Sequence, residues 1–184
     1  MKLGLTLLRT VIGALFVGHG TQKLFGWFGG HGPEATGRFF ESLGMKPGRR
    51  HAIAAGAAEA GGGALITLGL FTPAAAAAII GTMATAIRTV HIKNGPWATN
   101  GGYEYNAALI AIMIALADLG PGEFSLDHAL GIEVKGPLVA LTAAAGGVAA
   151  ATYMTTRSTE SEPSGAGNVA GDPATAQEPV TTSA

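Results

Sequence analysis

The stretch AGGGALITLGLFTPAAAAAIIGTMATAI, residues 60–87, contains no charged side chain and is bounded by Glu59 and Arg88. A second uncharged stretch covers residues 136–156. A helix needs roughly 20 mainly apolar residues to cross the hydrocarbon core of a bilayer. A soluble alanine-rich bundle is the alternative, but its helices would carry polar residues at every third or fourth position on an outer face. These stretches lack that pattern, so the sequence predicts a membrane-embedded protein.

The composition of the 184 residues narrows the possible functions. Only 12% of the residues are charged, about half the usual share for a soluble domain. With a net charge of -1, the chain lacks the positive charge that binds nucleic acid, so nucleic acid is not expected as a partner. The chain has no cysteine, which excludes disulfides, thiolate catalysis and thiolate metal ligands. Redox chemistry would therefore require a bound cofactor or a partner, and no covalently bound cofactor is expected.

Breaks at Thr72-Pro73, Asn94-Gly95-Pro96 and Gly120-Pro121-Gly122 divide the chain into apolar segments. The predicted fold is all-α: a membrane-embedded four-helix bundle, a fifth transmembrane helix and a disordered C-terminal tail. The bundle occupies residues 1–132, the additional helix 133–154 and the tail 155–184. The predicted segments are about Leu3–Phe25, His51–Leu70, Pro73–His91, Tyr103–Leu119 and Pro137–Met154.

Three parts of this division rest on separate observations. The tail is rich in Ser, Thr, Pro, Gly and Glu and cannot bury enough apolar surface to offset its ordering entropy. The last segment is short for a span, so a helix on the membrane surface is its alternative. In the loop after the first segment, Pro33–Leu43 is predicted to form a short interfacial helix, because amphipathic aromatic residues collect at the membrane surface.

Seven polar residues are predicted to lie in one half of the bilayer. Successive helices alternate direction, so four segments present their polar ends on the side of the 26–50 loop. Glu59 lies roughly 12 Å from that side at a rise of 1.5 Å per residue. Ionisable residues inside spans usually face a bundle interior or a cavity. The candidate ligand or pocket residues are His19, Lys23, Glu59, Arg88, His91, Glu104 and Asn106.

This polar cluster has two interpretations. It can form a pocket, open to one face, for a small polar head group. It can equally be a set of ion pairs between helices, with Glu59 satisfying Lys23 or Arg88 and Glu104 satisfying Arg88. Lys23, Arg88 and His91 also lie near helix ends, where side chains can reach the interface. In the opposite half, Arg9 is expected to pair with Asp118.

Catalytic chemistry is not assigned to any residue. His19, Glu59 and His91 have the composition of a two-histidine, one-carboxylate set. No single helix supplies two of these ligands at adjacent turns, so no metal site is predicted.

A series of short motifs follows in order along residues 3–130: Arg9, Gly18-His19-Gly20 and Lys23-Leu24; Glu59 with Gly62-Gly63; Leu68-Gly69-Leu70-Phe71-Thr72-Pro73; His91 with Asn94-Gly95; Gly102-Tyr103-Glu104-Tyr105-Asn106; Gly120-Pro121-Gly122; and Ser125-Leu126-Asp127. In this order they resemble the DoxX family of small bacterial integral membrane proteins. The resemblance implies a four-helix bundle in the bacterial plasma (inner) membrane, crossing it several times. The family name comes from a subunit of a thiosulfate:quinone oxidoreductase, so a redox-associated role is implied.

Three functions follow from these expectations. The first is a membrane subunit of a quinone-linked assembly, in which the pocket holds the quinone, Phe16, Phe25 and Trp27 flank its ring, and a partner protein subunit brings electrons. The second is a non-catalytic anchor for partner proteins. The third is a small-solute or proton permease. The positive-inside rule places the loops with Arg38, Lys46, Arg49, Arg50 and Lys93 in the cytoplasm.

Overall fold

The computed structural model describes residues 3–132 and 134–159, and within these ranges every regular element is helical. The prediction of an all-α bundle is confirmed. The last helix continues to Thr159, so residues 155–159 of the predicted tail are helical, and residues 160–184 lie outside the described ranges. The helices are α1 (Leu3–Phe25), α2 (Gly32–Ser42), α3 (Gly48–Leu68), α4 (Thr72–Ala86), α5 (Glu104–Leu119), α6 (Leu126–Ala129) and α7 (Pro137–Thr159).

Three helical stretches of the described chain are long and apolar enough to cross a membrane: Leu3–Phe25, Thr72–Asn94 and Pro137–Thr156. The second of these is α4 together with its continuation. Large apolar side chains cover the outer faces of α1 and α7, including Leu7, Leu138 and Leu141, which are all more than half exposed. Contiguous apolar surface of this kind marks contact with lipid or with a partner. Together with the three long apolar helical stretches, this exposed apolar surface identifies a membrane protein.

Glycine residues bring α1 and α3 into close antiparallel contact. A Cβ atom built on Gly13 would lie 2.6 Å from the carbonyl oxygen of Gly63, and one built on Gly20 would lie 2.6 Å from that of Gly56. No side chain larger than hydrogen fits at such distances. Small residues allow this approach between membrane helices, which gains van der Waals contact without any hydrophobic driving force.

The apolar core occupies the half of the bundle that is remote from the 26–50 loop. It forms where α4 packs against α3, α5 and α7. Gly62 of α3 lies against Ile79, and Gly147 of α7 lies against Ala77 and Ile80. The largest fully buried apolar side chains in the described chain are Ile66, Ile79, Ile80, Met113 and Leu116. By contrast, α1 packs mainly on α3 and α2, so a space is left between α1 and α4.

The predicted interfacial helix forms as α2 and is fixed to the start of α3. The Glu41 carboxylate accepts a hydrogen bond from the backbone N–H of Gly48 at 2.9 Å. Arg49 Nε donates to Glu34 Oε1 at 2.9 Å, and this hydrogen bond lowers the pKa of Glu34. The two exposed side chains contribute little stability by themselves. Their effect is to hold α2 across the end of α1 and α3 on the loop side.

A polar network closes the opposite end of the bundle. The Asp127 carboxylate accepts hydrogen bonds from Phe71 N (2.8 Å), Thr72 N (3.1 Å) and Thr72 Oγ1 (3.0 Å), and so caps the start of α4. The buried Arg9 donates to the carbonyl of Phe124 and is attracted to Asp127. The expected pairing of Arg9 with Asp118 is therefore wrong, because the short α6 brings Asp127 closer to the guanidinium.

We expect Gly63→Ala to destabilise the protein by about 1–3 kcal/mol, because its Cβ would overlap the α1 backbone at Gly13 and Val17. Gly61→Ala on the same helix is the matched control, since nothing lies within 4 Å of its Cβ position. Thermal unfolding in detergent micelles measures both variants. Equal melting temperatures for the two variants would contradict the close α1–α3 contact.

We expect Asp127→Ala to lower the free energy of unfolding by about 3 kcal/mol, because the start of α4 loses its cap and the buried Arg9 loses its counter-charge. Asp118→Ala is the control, because the Asp118 side chain makes no hydrogen bond within the described residues and its loss should change stability by less than about 0.5 kcal/mol. The same unfolding assay separates the two. If Asp118 proved the more important carboxylate, the assigned network would be incorrect.

Candidate functional site

A cavity of about 640 Å³ lies between α1 and the α4–α7 pair, along the alanine-rich face of α3. Ala54, Ala55 and Ala58 form the α3 side, and their small side chains leave the space unfilled. Phe39 and Phe40 of α2 line its end near the 26–50 loop. The volume lies within the roughly 300–1,000 Å³ typical of small-molecule sites. The walls are mostly apolar, and the polar groups come from a few defined side chains.

The structure places five of the seven predicted candidates in the wall of this cavity. They come from four separate parts of the bundle: α1, α3, the extension of α4, and α5. The convergence of polar groups from four helices on one apolar cavity is the arrangement expected of a ligand site. The five residues are His19, Lys23, Glu59, His91 and Asn106.

Lys23 and Glu59 form an ion pair that links α1 to α3. Lys23 Nζ lies 2.5 Å from Glu59 Oε2, and the Glu59 side chain is only 7% exposed. Lys23 Nζ also lies 3.5 Å from the carbonyl oxygen of His19. Of the two partners that the sequence left open for Glu59, the structure therefore selects Lys23 over Arg88. Glu59 Oε1 accepts no hydrogen bond from the described residues and can accept one from a ligand.

His19 has a defined hydrogen-bonding state. Its Nδ1 lies 3.2 Å from Gln22 Oε1, while Gln22 Nε2 donates to the carbonyl oxygen of Phe28 at 3.2 Å. Because the Phe28 oxygen can only accept, it fixes the orientation of the Gln22 amide and makes Oε1 the acceptor for His19. In the neutral form, His19 thus carries its proton on Nδ1 and keeps Nε2 as an acceptor.

His91 lies on a turn of π-helix, Ile87–His91, that continues α4. Its Nδ1 donates to the carbonyl oxygen of Gly101 at 2.7 Å, which again leaves Nε2 as the acceptor in the neutral form. Single π-helical turns are rare and occur frequently at functional sites. The π-helical turn therefore independently indicates a functional role for the loop-side end of α4. No feature of the sequence predicted this turn.

Asn106 completes the polar wall from α5. It is 8% exposed, and its Nδ2 donates to Met83 Sδ at 3.5 Å, which is a weak acceptor. Its carbonyl oxygen Oδ1 has no hydrogen-bond donor in the part of the chain that the structure describes. A buried amide in this state favours a ligand that supplies a donor.

Two candidates, Arg88 and Glu104, lie outside the cavity. Both are exposed, and the expected ion pair between them does not form. Among the predicted aromatic residues only Phe16 lines the cavity, whereas Phe25 and Trp27 pack on each other at the surface with ring centroids 5.1 Å apart. The structure therefore does not bring these four residues to the cavity, because each side chain points from a different side of its helix or loop.

Sequence reasoning missed five polar residues of the cavity wall, one of which is Tyr105 in the first turn of α5. Thr82, Thr85 and Thr89 follow one face of α4 and its π-turn, and His51 lies at the start of α3. Thr82, Thr85 and Thr89 are separated by three and four residues, which is the period of a helix. Counting hydroxyl groups among the polar residues of the sequence pattern would have identified these three. His51 was taken only as the boundary of a segment. The described residues contain no group of three or more His, Asp or Glu side chains suited to a metal ion.

Comparison with known proteins gives two matches to this chain. The profile of the DoxX family matches residues 4–92. A Bacillus subtilis (strain 168) protein named "Putative oxidoreductase CatD" is 34% identical over 115 residues, which is 62% of this chain and 79% of that relative. The chain belongs to the DoxX family. No solved structure matches the chain significantly. The DoxX profile covers His19, Lys23, Glu59 and His91, whereas α7, which forms part of the cavity wall, lies beyond it.

We expect Lys23→Met to destabilise this DoxX protein by about 3 kcal/mol, because the Glu59 carboxylate would be buried without its counter-charge. The double variant Lys23→Met/Glu59→Leu should recover most of that loss. A double-mutant cycle of unfolding free energies measures the coupling between the two residues. Additive effects of the single substitutions would contradict a direct ion pair.

Proposed function

We propose that the cavity holds the ring of a quinone and that the protein acts as a membrane subunit of a redox assembly. The observation that carries this proposal is the composition of the cavity wall. An apolar chamber suits a hydrophobic ring. Lys23 and Asn106 provide donors for the ring oxygens, and Glu59 and His91 provide acceptors for the hydroxyl groups of the reduced form. The name of the Bacillus subtilis relative, "Putative oxidoreductase CatD", agrees with a redox role.

Protons and electrons would come from different sources in this proposal. The histidine and carboxylate side chains of the wall are able to exchange protons with a ring oxygen in the bound ligand. The chain has no cysteine, and the part that the structure describes shows no cluster suited to a metal ion. We therefore propose that a partner protein subunit supplies or removes the electrons, and that this chain binds and positions the quinone.

We further propose a multi-pass arrangement in the bacterial plasma membrane. In addition to the three long apolar stretches, α3 and α5 would cross the bilayer, because both pack along α4 inside the bundle. Its 21 residues give α3 a length of about 31 Å at 1.5 Å per residue, enough to span. The basic residues near the loop-side end, among them Arg38, Arg49 and Lys93, favour a cytoplasmic location for the cavity mouth.

A non-catalytic membrane anchor is the second candidate, and the Lys23–Glu59 pair favours it. The pair joins two helices and would be needed for assembly even without a ligand. A permease has less support, because the fully buried Ile66, Ile79 and Met113 fill the half of the bundle beyond the cavity. A solute would have to displace this packed core to cross.

We expect the purified protein in nanodiscs to bind decylubiquinone, and Ala58→Phe to weaken that binding about tenfold or more, because the new ring would occupy the cavity. Equilibrium dialysis measures the bound quinone, with empty nanodiscs giving the fraction dissolved in lipid. Thermal unfolding must show that the variant remains folded.

Ala57→Phe is the matched control, because Ala57 neighbours Ala58 but is exposed on the outer side of α3. It should bind quinone like the wild type. A folded wild-type protein that binds no more quinone than empty nanodiscs would overturn the proposal and favour the anchor. Equal loss of binding in both variants would show that the quinone lies elsewhere.

A further inference from the structure

The threonine side chains of α4 form a wall whose hydroxyl protons are directed at the helix backbone and not at the cavity. Thr82 Oγ1 donates to the carbonyl oxygen of Ile79, and Thr85 Oγ1 donates to that of Gly81, both at 2.9 Å. Thr89 Oγ1 donates in the same way to Thr85. A hydroxyl group has one proton and two lone pairs. Since each proton is used by the helix backbone, each hydroxyl presents only lone pairs to the cavity.

Most of the remaining polar atoms deep in the cavity are also acceptors. Within the described chain, Glu59 Oε1 and Asn106 Oδ1 receive no hydrogen bond, while Asn106 Nδ2 donates one of its two N–H groups to Met83 Sδ and keeps the other. Further donors lie at the loop-side end, where Lys23 retains one N–H and the half-exposed Tyr105 carries a hydroxyl. The inner part of the cavity thus contains hydrogen-bond acceptors in excess.

From this imbalance we infer that the cavity binds the reduced, dihydroxy form of the ring in preference to the oxidised form. This inference rests on the proposed function. A quinol carries two hydroxyl groups, each of which can donate to a threonine or carboxylate oxygen, and one of which can also accept from Lys23. A quinone carries two carbonyl groups, which can only accept, and would place its oxygens against the lone pairs of Thr82 and Thr85. Buried acceptors that meet no donor disfavour that complex.

The preference has a thermodynamic consequence. The bound quinone takes up two electrons and two protons to become the quinol. If the protein binds the quinol more tightly, the midpoint potential of the bound couple rises relative to the couple in lipid. For a two-electron couple, a tenfold difference in affinity raises the potential by about 30 mV. The site would then retain the product of quinone reduction, or receive quinol as the substrate of an oxidation by a partner.

The test compares the binding of decylubiquinol and decylubiquinone to the full-length protein in nanodiscs. The quinol is kept reduced anaerobically with dithionite. We expect the quinol to bind about 5- to 30-fold more tightly, as one or two additional net hydrogen bonds would produce. An independent redox titration of the bound couple in the wild-type protein should give the corresponding rise in midpoint potential.

Thr85→Val tests the assignment of the wall, because valine keeps the shape of threonine and removes the acceptor. It should weaken quinol binding about fivefold and should not weaken quinone binding, because the quinone oxygen would no longer face the lone pairs of Thr85. Thr142→Val is the matched control: Thr142 makes the same kind of bond to a backbone carbonyl but is exposed on α7, outside the cavity. This variant should retain the wild-type preference.

Each outcome has a distinct meaning. Equal binding of both forms, or tighter binding of the quinone, would overturn this inference while leaving quinone binding itself established. A preference that survives in both Thr85→Val and Thr82→Val would overturn the role of the threonine wall. Binding of neither form would remove the proposed function, and this inference with it.

Discussion

The close contact between α1 and α3 is the constraint on which the rest of the structure depends. Gly13 and Gly20 of α1 meet Gly56 and Gly63 of α3 with no room for a Cβ atom. In lipid, such packing must replace the hydrophobic effect as the source of helix association. It fixes α1 on one side of α3, while Gly62, on another face of α3, receives α4. The two neighbours of α3 are thereby held apart.

The cavity is a consequence of this separation. The face of α3 between its two neighbours carries Ala54 and Ala58, which are too small to fill the space between α1 and the α4–α7 pair. Polar groups can be maintained there only if each is paired or meets a ligand, because hydrocarbon offers no hydrogen bonds. The Lys23–Glu59 pair satisfies one carboxylate oxygen and leaves the other free. Glu59 can therefore join two helices and still accept a hydrogen bond in the cavity, so the two interpretations of the cluster are not exclusive.

The sequence allowed the bundle, the approximate helix bounds and about half of the polar cavity residues to be predicted, because each depends on patterns along one chain. Uncharged runs indicate helices in lipid, and their alternating direction brings His19, Glu59 and His91 to one side. The positions of Arg88 and Glu104 could not be predicted, since facing inward depends on rotation about the helix axis. Asp127 was not predicted as the neighbour of Arg9, because a short helix in a loop, α6, decides which carboxylate reaches the guanidinium group.

The two ends of the bundle show how differently buried polar groups can be arranged. At the Arg9 end, the Asp127 carboxylate receives three hydrogen bonds and lies against a packed apolar core, so this end has a structural role. At the other end, the threonine, asparagine and glutamate oxygens of the cavity wall retain unused lone pairs beside an open volume. The Asp127 carboxylate is thus held by the backbone of its own bundle, whereas the acceptors of the cavity wall face an open volume. Their excess at one end agrees with the proposed ligand that carries donors.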